Sequence, residues 1–237
     1  MIFNPEAAVQ ILPIAANLDC LVVDDALLQP EAWVEQAAKH REFFAIAPSN
    51  AYPGVEFEVP ESLGDYLAAF FKAKLRNALG ARRLLEYYCR LAMVTQAPAA
   101  LQPAQWLCHR DRAALGPGEV LMASVLYLFD EPALGGTDFY VPAAPAADVA
   151  ALIQDSGRLT AAAFTAKYGL APGYPAGDNR WFRKVASVPA KWNRLICYAG
   201  SELFHAGHIA VPERLTDDPR TGRLTMNGFF RCRRVQC

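Results

Sequence analysis

Residues 120–141, VLMASVLYLFDEPALGGTDFYV, decide the fold class. Val120 to Phe129 is an apolar run of strand length, and Asp130-Glu131-Pro132 interrupts it. Gly135-Gly136 then turns the chain into a second run that begins at Thr137. The pattern predicts a buried strand, a turn and another strand. Further short apolar runs lie at 85–95, 104–110, 194–199 and 223–230, separated by Gly, Pro and polar turns. Evenly spaced strands with such punctuation predict a sandwich or barrel-like β core.

The N-terminal part has a different texture. Residues 20–24 (CLVVD) predict a strand, and Pro30 opens a helix from about Glu31 to Phe44; proline suits a first helical turn, where its missing N–H does least harm. A second helix is predicted from Pro60 or Glu61 to about Leu79, with Leu63, Tyr66, Leu67, Phe70, Phe71 and Leu75 at helical spacing. The β pattern breaks once, over residues 142–185. There Ala146–Ile153 and Thr160–Tyr168 read as two Ala-rich helices, followed by a loop rich in Gly and Pro. Long insertions between strands are usually functional, so this segment and Tyr52–Glu58 are expected to wall a substrate site, with Trp181, Phe182 and Arg183 as contacts or packing anchors. We expect residues 1–237 to form one domain: a strand and supporting helices over 1–83, and a β core over 84–237.

Composition narrows the function. The chain has 237 residues, 53% of them hydrophobic and 20% charged, with a net charge of −1. That balance describes an ordinary globular domain with no general attraction for nucleic acid or anionic membrane. The opening MIFNPEAAVQILPIAANLD lacks a basic leader, and no apolar run approaches the roughly 18–20 residues that span a bilayer. Six cysteines are scattered without CxxC pairs, the pattern of reduced thiols in a cytoplasmic protein. The expected partner is a small molecule or peptide, and the expected state a monomer or homodimer.

Only four histidines are present, His40, His109, His205 and His208. His40 ends a predicted helix in Lys39-His40-Arg41, where a surface cation is ordinary. His109-Arg110-Asp111 follows an apolar run read as a strand. Alternate residues of a strand share one face, about 6.6–6.8 Å apart at Cα, so His109 and Asp111 can converge on one ion while Arg110 and Cys108 point away. A second histidine from another strand would complete a facial set with open positions. The same tripeptide occurs in kinase catalytic loops, but those need an Asn where this chain has Gly116, and no phosphate loop is present. In Gly222–Phe230, Arg223, Thr225 and Asn227 share one strand face while Leu224 and Met226 take the other.

The ordered set His109-Arg110-Asp111, YLFDEPALGGTDFY (127–140), NRLICYAGSELFH (193–205) and RLTMNGFF (223–230) resembles the Fe(II)/2-oxoglutarate-dependent dioxygenase superfamily, particularly its prolyl-hydroxylase-like branch. The resemblance covers roughly residues 84–237. It implies an α+β fold with a mainly β core, a double-stranded β-helix (jelly roll) flanked by N-terminal helices and one helical insertion. By position it implies His109, Asp111 and His205 as ligands of Fe(II), and Arg223 as the cation for the distal carboxylate of 2-oxoglutarate. Thr225 and Tyr127 are implied as hydroxyl partners of that cosubstrate, with O2 as the oxidant and hydroxylation as the outcome. A guanidinium grips a carboxylate through two parallel hydrogen bonds, which suits the Arg223 role. Asp111 argues against halogenation, which needs that position free for halide.

Two departures from the family pattern matter. His208 lies three residues beyond His205 and rivals it as a ligand; the family pattern favours His205. The interval from His205 to Arg223 is longer than in many relatives, and Thr216–Gly222 reads as an inserted turn that absorbs it. Arg214 and Arg220 are therefore rivals of Arg223. Two other classes fit parts of the pattern: a cupin-like metalloprotein without 2-oxoglutarate, and a non-catalytic jelly-roll binding module. A cupin has no need of the Arg223 clamp, whereas the binding module would keep the pocket and have lost turnover.

Overall fold

A computed structural model describes residues 2–47 and 51–234. Its elements follow in chain order as β1 (Val9–Ala15), β2 (Leu18–Val23), α1 (Pro30–Lys39), β3 (Gly54–Glu58), α2 (Glu61–Phe70), β4 (Ala81–Val94), β5 (Glu119–Tyr127) and β6 (Thr137–Pro142). They continue as α3 (Ala146–Ser156), α4 (Ala161–Tyr168), β7 (Phe182–Val188), β8 (Leu195–Tyr198), β9 (Phe204–Gly207) and β10 (Arg223–Arg234). One antiparallel sheet runs β1-β2-β8-β5-β10-β4-β3, and a second runs β7-β6-β9. An isolated bridge between His109 and His205 adds a short fourth member to the second sheet. The inner layers are thus β4-β10-β5-β8 against β7-β6-β9 and the His109 segment. That is a double-stranded β-helix, the expected jelly roll.

Alternation along β10 fixes which face looks inward. Leu224, Met226, Phe230 and Cys232 are buried on the outer face, in one cluster with Leu67, Phe70 and Phe71. The Phe71 and Phe230 rings stack at 4.1 Å. Burying each such ring contributes about 2–3 kcal/mol, and a one-residue slip would turn the whole apolar set around. Arg223, Thr225, Asn227 and Phe229 therefore face inward.

Several boundaries differ from the sequence reading. Residues 104–110 do not form a strand: Pro103–Trp106 is a 3-10 turn, and only His109 pairs across. Proline lacks a ladder donor, and the Gln105 side chain takes the Gln102 N–H at 2.7 Å, closing a capping box. The first helix stops at Lys39, with a short 3-10 turn at Arg41–Phe43. The second changes to π-helical hydrogen bonding over Phe71–Leu75. Strands β1, β3 and β7 carry too little alternation or length to have been read, and they pair only because neighbours present open edges.

The two helices of the insertion form as expected, with Thr160 capping α4 and Gly169 ending it at φ +68°. Their placement corrects the expectation that they wall the site. Val149, Leu152, Phe164 and Tyr168 pack with Tyr140, Phe204 and Ala206 on the outer face of the three-stranded sheet. Trp181 and Phe182 are buried in the same cluster, so they are packing anchors rather than substrate contacts. The cysteines among the described residues are free and buried, Cys108 included; Cys237 lies outside them. Among the described residues no helix is long and apolar enough to cross a membrane.

Candidate active site

The rims of the two sheets bring His109, Asp111 and His205 together. His109 and His205 exchange backbone hydrogen bonds of 2.9 and 2.8 Å, and the Asp111 N–H donates to the Gly200 carbonyl at 2.9 Å. Extended backbone through residue 110 then sends both side chains of the HxD pair to one side. His109 Nε2 lies 3.7 Å from Asp111 Oδ1, and His205 Nε2 lies 3.7 Å from Asp111 Oδ2. The three donor atoms fall within 4.8 Å of one another.

The surroundings prepare these groups for a cation. His205 Nδ1 is 3.0 Å from the Leu203 carbonyl; a proton held there leaves the Nε2 lone pair facing Asp111. The Tyr198 ring packs edge-on against His205 at 4.8 Å. Desolvation and the adjacent His205 hold the His109 imidazole down to about 4. Its side chain is 59% exposed at the mouth, so the neighbouring ring, 4.5 Å away, is the cause the geometry secures. Asp111 Oδ2 is buried and has no hydrogen-bond partner among the described residues. A bare buried acceptor costs about 1–3 kcal/mol, more when charged. A divalent cation on two neutral imidazoles and one carboxylate removes that penalty, so the donor set fits the metal that the sequence resemblance implies.

Arg223 forms the second half of the site. It is 4% exposed, and its Nε and Nη2 donate to the Leu134 and Gly136 carbonyls, each at 2.9 Å. Those carbonyls come from the glycine turn. Gly135 has φ +75°, and a Cβ there would fall 1.5 Å from the His208 carbonyl oxygen, so only glycine fits. Among the described residues Arg223 makes no ion pair. A buried guanidinium without a carboxylate is a receptor for an anion. It also lies close to the triad: a Cβ on Gly207 would be 3.5 Å from Arg223 Nη2, and Gly207 is two residues from His205 on the same strand.

The other expected residues flank this guanidinium. Thr225 and Tyr127 are partners across β10 and β5. Thr225 Oγ1 donates to the Ala92 carbonyl at 3.3 Å. The Tyr127 phenol is fully buried and shares a 2.8 Å hydrogen bond with Thr137 Oγ1; burial raises its pKa further. The rivals lie elsewhere. His208 Nδ1 is 2.9 Å from Asp138 Oδ2, on the outer side of the sheet. Arg214 pairs with Glu131 at 3.1 Å and Arg220 with Glu35 at 2.8 Å. His40 caps the end of α1 beside Phe43 and Phe57.

Tyr52 and Glu56, from the stretch expected to wall the site, complete the inner wall together with Arg90, Tyr88, Phe229 and Gly200, which the sequence reading did not assign. Arg90 and Glu56 form an ion pair at 3.0 Å. The Arg90 guanidinium lies 5.0 Å from the Phe229 ring and 5.8 Å from that of Tyr52. Tyr88 stacks on Phe229 at 4.7 Å. Gly200 backs Asp111 so closely that a Cβ would fall 2.1 Å from Oδ2. Arg90 left one signal, as the lone charge in the apolar stretch Tyr87–Val94. The Gly-Pro-rich loop of the insertion does reach this wall, where the Tyr174 hydroxyl donates to the Gln96 carbonyl at 2.6 Å.

Residues 5–230 match the model of a family described as "Family of unknown function (DUF6445)". No curated protein matches the sequence. Among solved structures, the chain is similar to a Pseudomonas putida prolyl-4-hydroxylase, at 15% identity and TM-score 0.43 over 98% of this chain and 95% of that one. It is similar to HygX from Streptomyces hygroscopicus, solved with nickel and 2-oxoglutarate, at 11% identity and TM-score 0.46 over 89% and 82%. EvdO2 from Micromonospora carbonacea var. aurantiaca, complexed with 2-oxoglutarate, gives 12% identity and TM-score 0.42 over 97% and 96%.

Proposed function

The chain belongs to the family of unknown function DUF6445, and we propose that it is a non-haem Fe(II)- and 2-oxoglutarate-dependent dioxygenase that hydroxylates an amino acid, a peptide or another small metabolite. One observation carries this reading. Three metal-type donors lie within 4.8 Å of one another, beside a buried Arg223 that has no carboxylate partner among the described residues. His205 and Gly207 stand about 6.6–6.8 Å apart along one strand face, a span that suits a short dicarboxylate held by metal at one end and guanidinium at the other.

In this reading His109, Asp111 and His205 would hold Fe(II) through two imidazole nitrogens and one carboxylate. Arg223 grips the distal carboxylate with the N–H groups that Leu134 and Gly136 do not use. Its two backbone bonds fix the plane of the guanidinium before the guest arrives, which lowers the ordering cost. Thr225 and Tyr127 offer hydroxyls to the same carboxylate, and Thr137 orients the Tyr127 phenol. Fe(II), 2-oxoglutarate and O2, when bound, supply oxidative decarboxylation to succinate and CO2 coupled to insertion of one oxygen atom into a substrate C–H bond. Tyr198 and Phe139, both buried beneath His205, keep bulk water from the inner side of the site.

A metalloprotein with the same donors and no cosubstrate would have no use for a buried, anion-seeking Arg223. Anaerobic titration separates the two. Fe(II) followed by 2-oxoglutarate should give a visible charge-transfer absorption, and admitting O2 should release succinate. Fe(II)-loaded protein that fails to bind 2-oxoglutarate would leave the dioxygenase reading without support.

A further inference from the structure

The inner face of β10 continues past the proposed cosubstrate site. Asn227 lies between Arg90 of β4 and Val125 of β5, and Phe229 lies beside Ala123. Ala123 is close to the ligands, since a Cβ on Gly200 would be 2.8 Å from the Ala123 Cβ and 2.1 Å from Asp111 Oδ2. The row Arg90, Asn227, Phe229 therefore floors the mouth below Asp111. Its charges reach the ligands too: Arg90 is among the groups that lower the His109 pKa, and Asp111 among those that raise that of Tyr88.

Three features of this floor call for a polar guest. The Arg90 and Glu56 side chains are only 17% and 6% exposed, with Arg90 Nε 3.0 Å from Glu56 Oε1. A buried ion pair gains little stability over apolar residues of the same size, so packing alone does not account for it. Arg90 Nε has no aligned hydrogen-bond acceptor among the described residues, and Asn227 Oδ1 is buried with no donor. Asn227 as a whole is 8% exposed. Tyr88, by contrast, is 52% exposed and stacks on Phe229.

We propose that Arg90, Glu56 and Asn227 form the primary-substrate subsite, and that it takes the zwitterionic end of a free α-amino acid. This rests on the dioxygenase reading and names its substrate class. Arg90 would donate to the α-carboxylate, while Glu56 and Asn227 Oδ1 would accept from the α-ammonium. A fixed buried pair of opposite charges is complementary to a zwitterion laid antiparallel upon it: both ends gain charge-assisted hydrogen bonds, and no net charge is buried. A dianion gains less, because Glu56 repels it; this separates the subsite from Arg223, which makes no ion pair among the described residues. Tyr52, Tyr88 and Phe229 leave an aromatic border for the amino-acid side chain.

The test is ligand-observed NMR on protein loaded with redox-inert Zn(II) and 2-oxoglutarate, using a pool of the standard free amino acids. At least one should bind, and its 2-hydroxy-acid and decarboxylated analogues should bind at least about tenfold more weakly. R90M should weaken the amino acid by at least about 30-fold while 2-oxoglutarate affinity stays within about twofold. R90M/E56Q, which leaves no unpaired charge in the wall, should do the same and guards against misfolding of the single variant. Binding of 2-oxoglutarate with no free amino acid bound overturns the subsite and leaves the dioxygenase reading standing. Loss of 2-oxoglutarate on R90M assigns Arg90 to the cosubstrate and also overturns it. Failure of the unaltered protein to bind 2-oxoglutarate removes both.

Discussion

His109 and His205 form a reciprocal backbone pair, each donating its N–H to the other's carbonyl at 2.9 and 2.8 Å, and their rings stand 4.5 Å apart. This bridge and the Asp111 N–H bond to the Gly200 carbonyl hold the HxD segment against its neighbours. The bridge sets the register of two proposed ligands that are far apart in the chain. Because side chains alternate along β9, fixing His205 inward also fixes Phe204 and Ala206 outward, against the insertion helices.

The first prediction separates the two neighbouring histidines. H205A should weaken metal binding by at least about 100-fold, whereas H208A should change it by less than about tenfold, the range of groups that touch no ligand directly. Co(II) absorption spectra report the coordination directly. Equal losses for the two variants would mean that the ligand assignment is wrong.

Gly200 gives a second test. The Cβ of G200A would overlap Asp111 Oδ2 at 2.1 Å and crowd Ala123 at 2.8 Å. Either Asp111 moves off its partners or the strand end shifts, at a cost of about 1–3 kcal/mol. Metal affinity should fall together with the chemical-denaturation midpoint. Unchanged metal affinity would show that Asp111 is not held against Gly200 in solution.

Arg223 should govern the anion and leave the metal alone. R223M should lower 2-oxoglutarate affinity by at least about 30-fold, the loss expected when a buried charged partner is removed, with Fe(II) or Co(II) still bound. R214A and R220A remove only surface ion pairs and should fall within about 1 kcal/mol of the parent in both affinity and stability. Calorimetric titration of each variant with 2-oxoglutarate gives the comparison; equal losses in all three would remove the clamp.

The acid limb of stability should contain an identifiable carboxylate. Hydrogen bonding from Arg194, followed by Lys191, lowers Asp24 from 3.8 to about 2 against the opposing effect of burial. A depressed carboxylate stabilises the fold above its unfolded pKa and loses that contribution as pH falls through the folded one. The window is therefore about pH 4 down to about pH 2, and the contribution is about 1–2 kcal/mol. D24N should flatten the acid limb over that interval in urea melts, and an unaltered limb would assign it to other carboxylates.

Local pattern carried much of the outcome. The period-two spacing of His109 and Asp111, the shared face of Arg223, Thr225 and Asn227, and the turn through Gly135-Gly136 are short-range features. They follow from alternation and from the conformations that glycine permits. A sandwich or barrel-like β core was legible for the same reason, because each apolar run is long enough to bury one face; the jelly roll itself was implied only by the family resemblance.

Tertiary structure alone decided the rest. The family resemblance already favoured His205 over His208; what the tertiary structure adds is the bridge to His109 and Asp138 lying opposite His208, both set by strands distant in sequence. Only packing moved the insertion helices to the outer face, since their apolar stripes fit either side of a sheet equally well. Arg223 differs from Arg214 and Arg220 because it alone of the three is buried away from carboxylates, and exposure has no local signature. The Arg90–Glu56 pair arises where β3 joins the sheet edge beside β4, a register that neither strand contains by itself. By itself, the sequence determined which donor types the chain possesses and which face of its strand each shares. Their convergence into one pocket required the closed β-helix, because only cross-strand register brings residues from four strands to a common mouth.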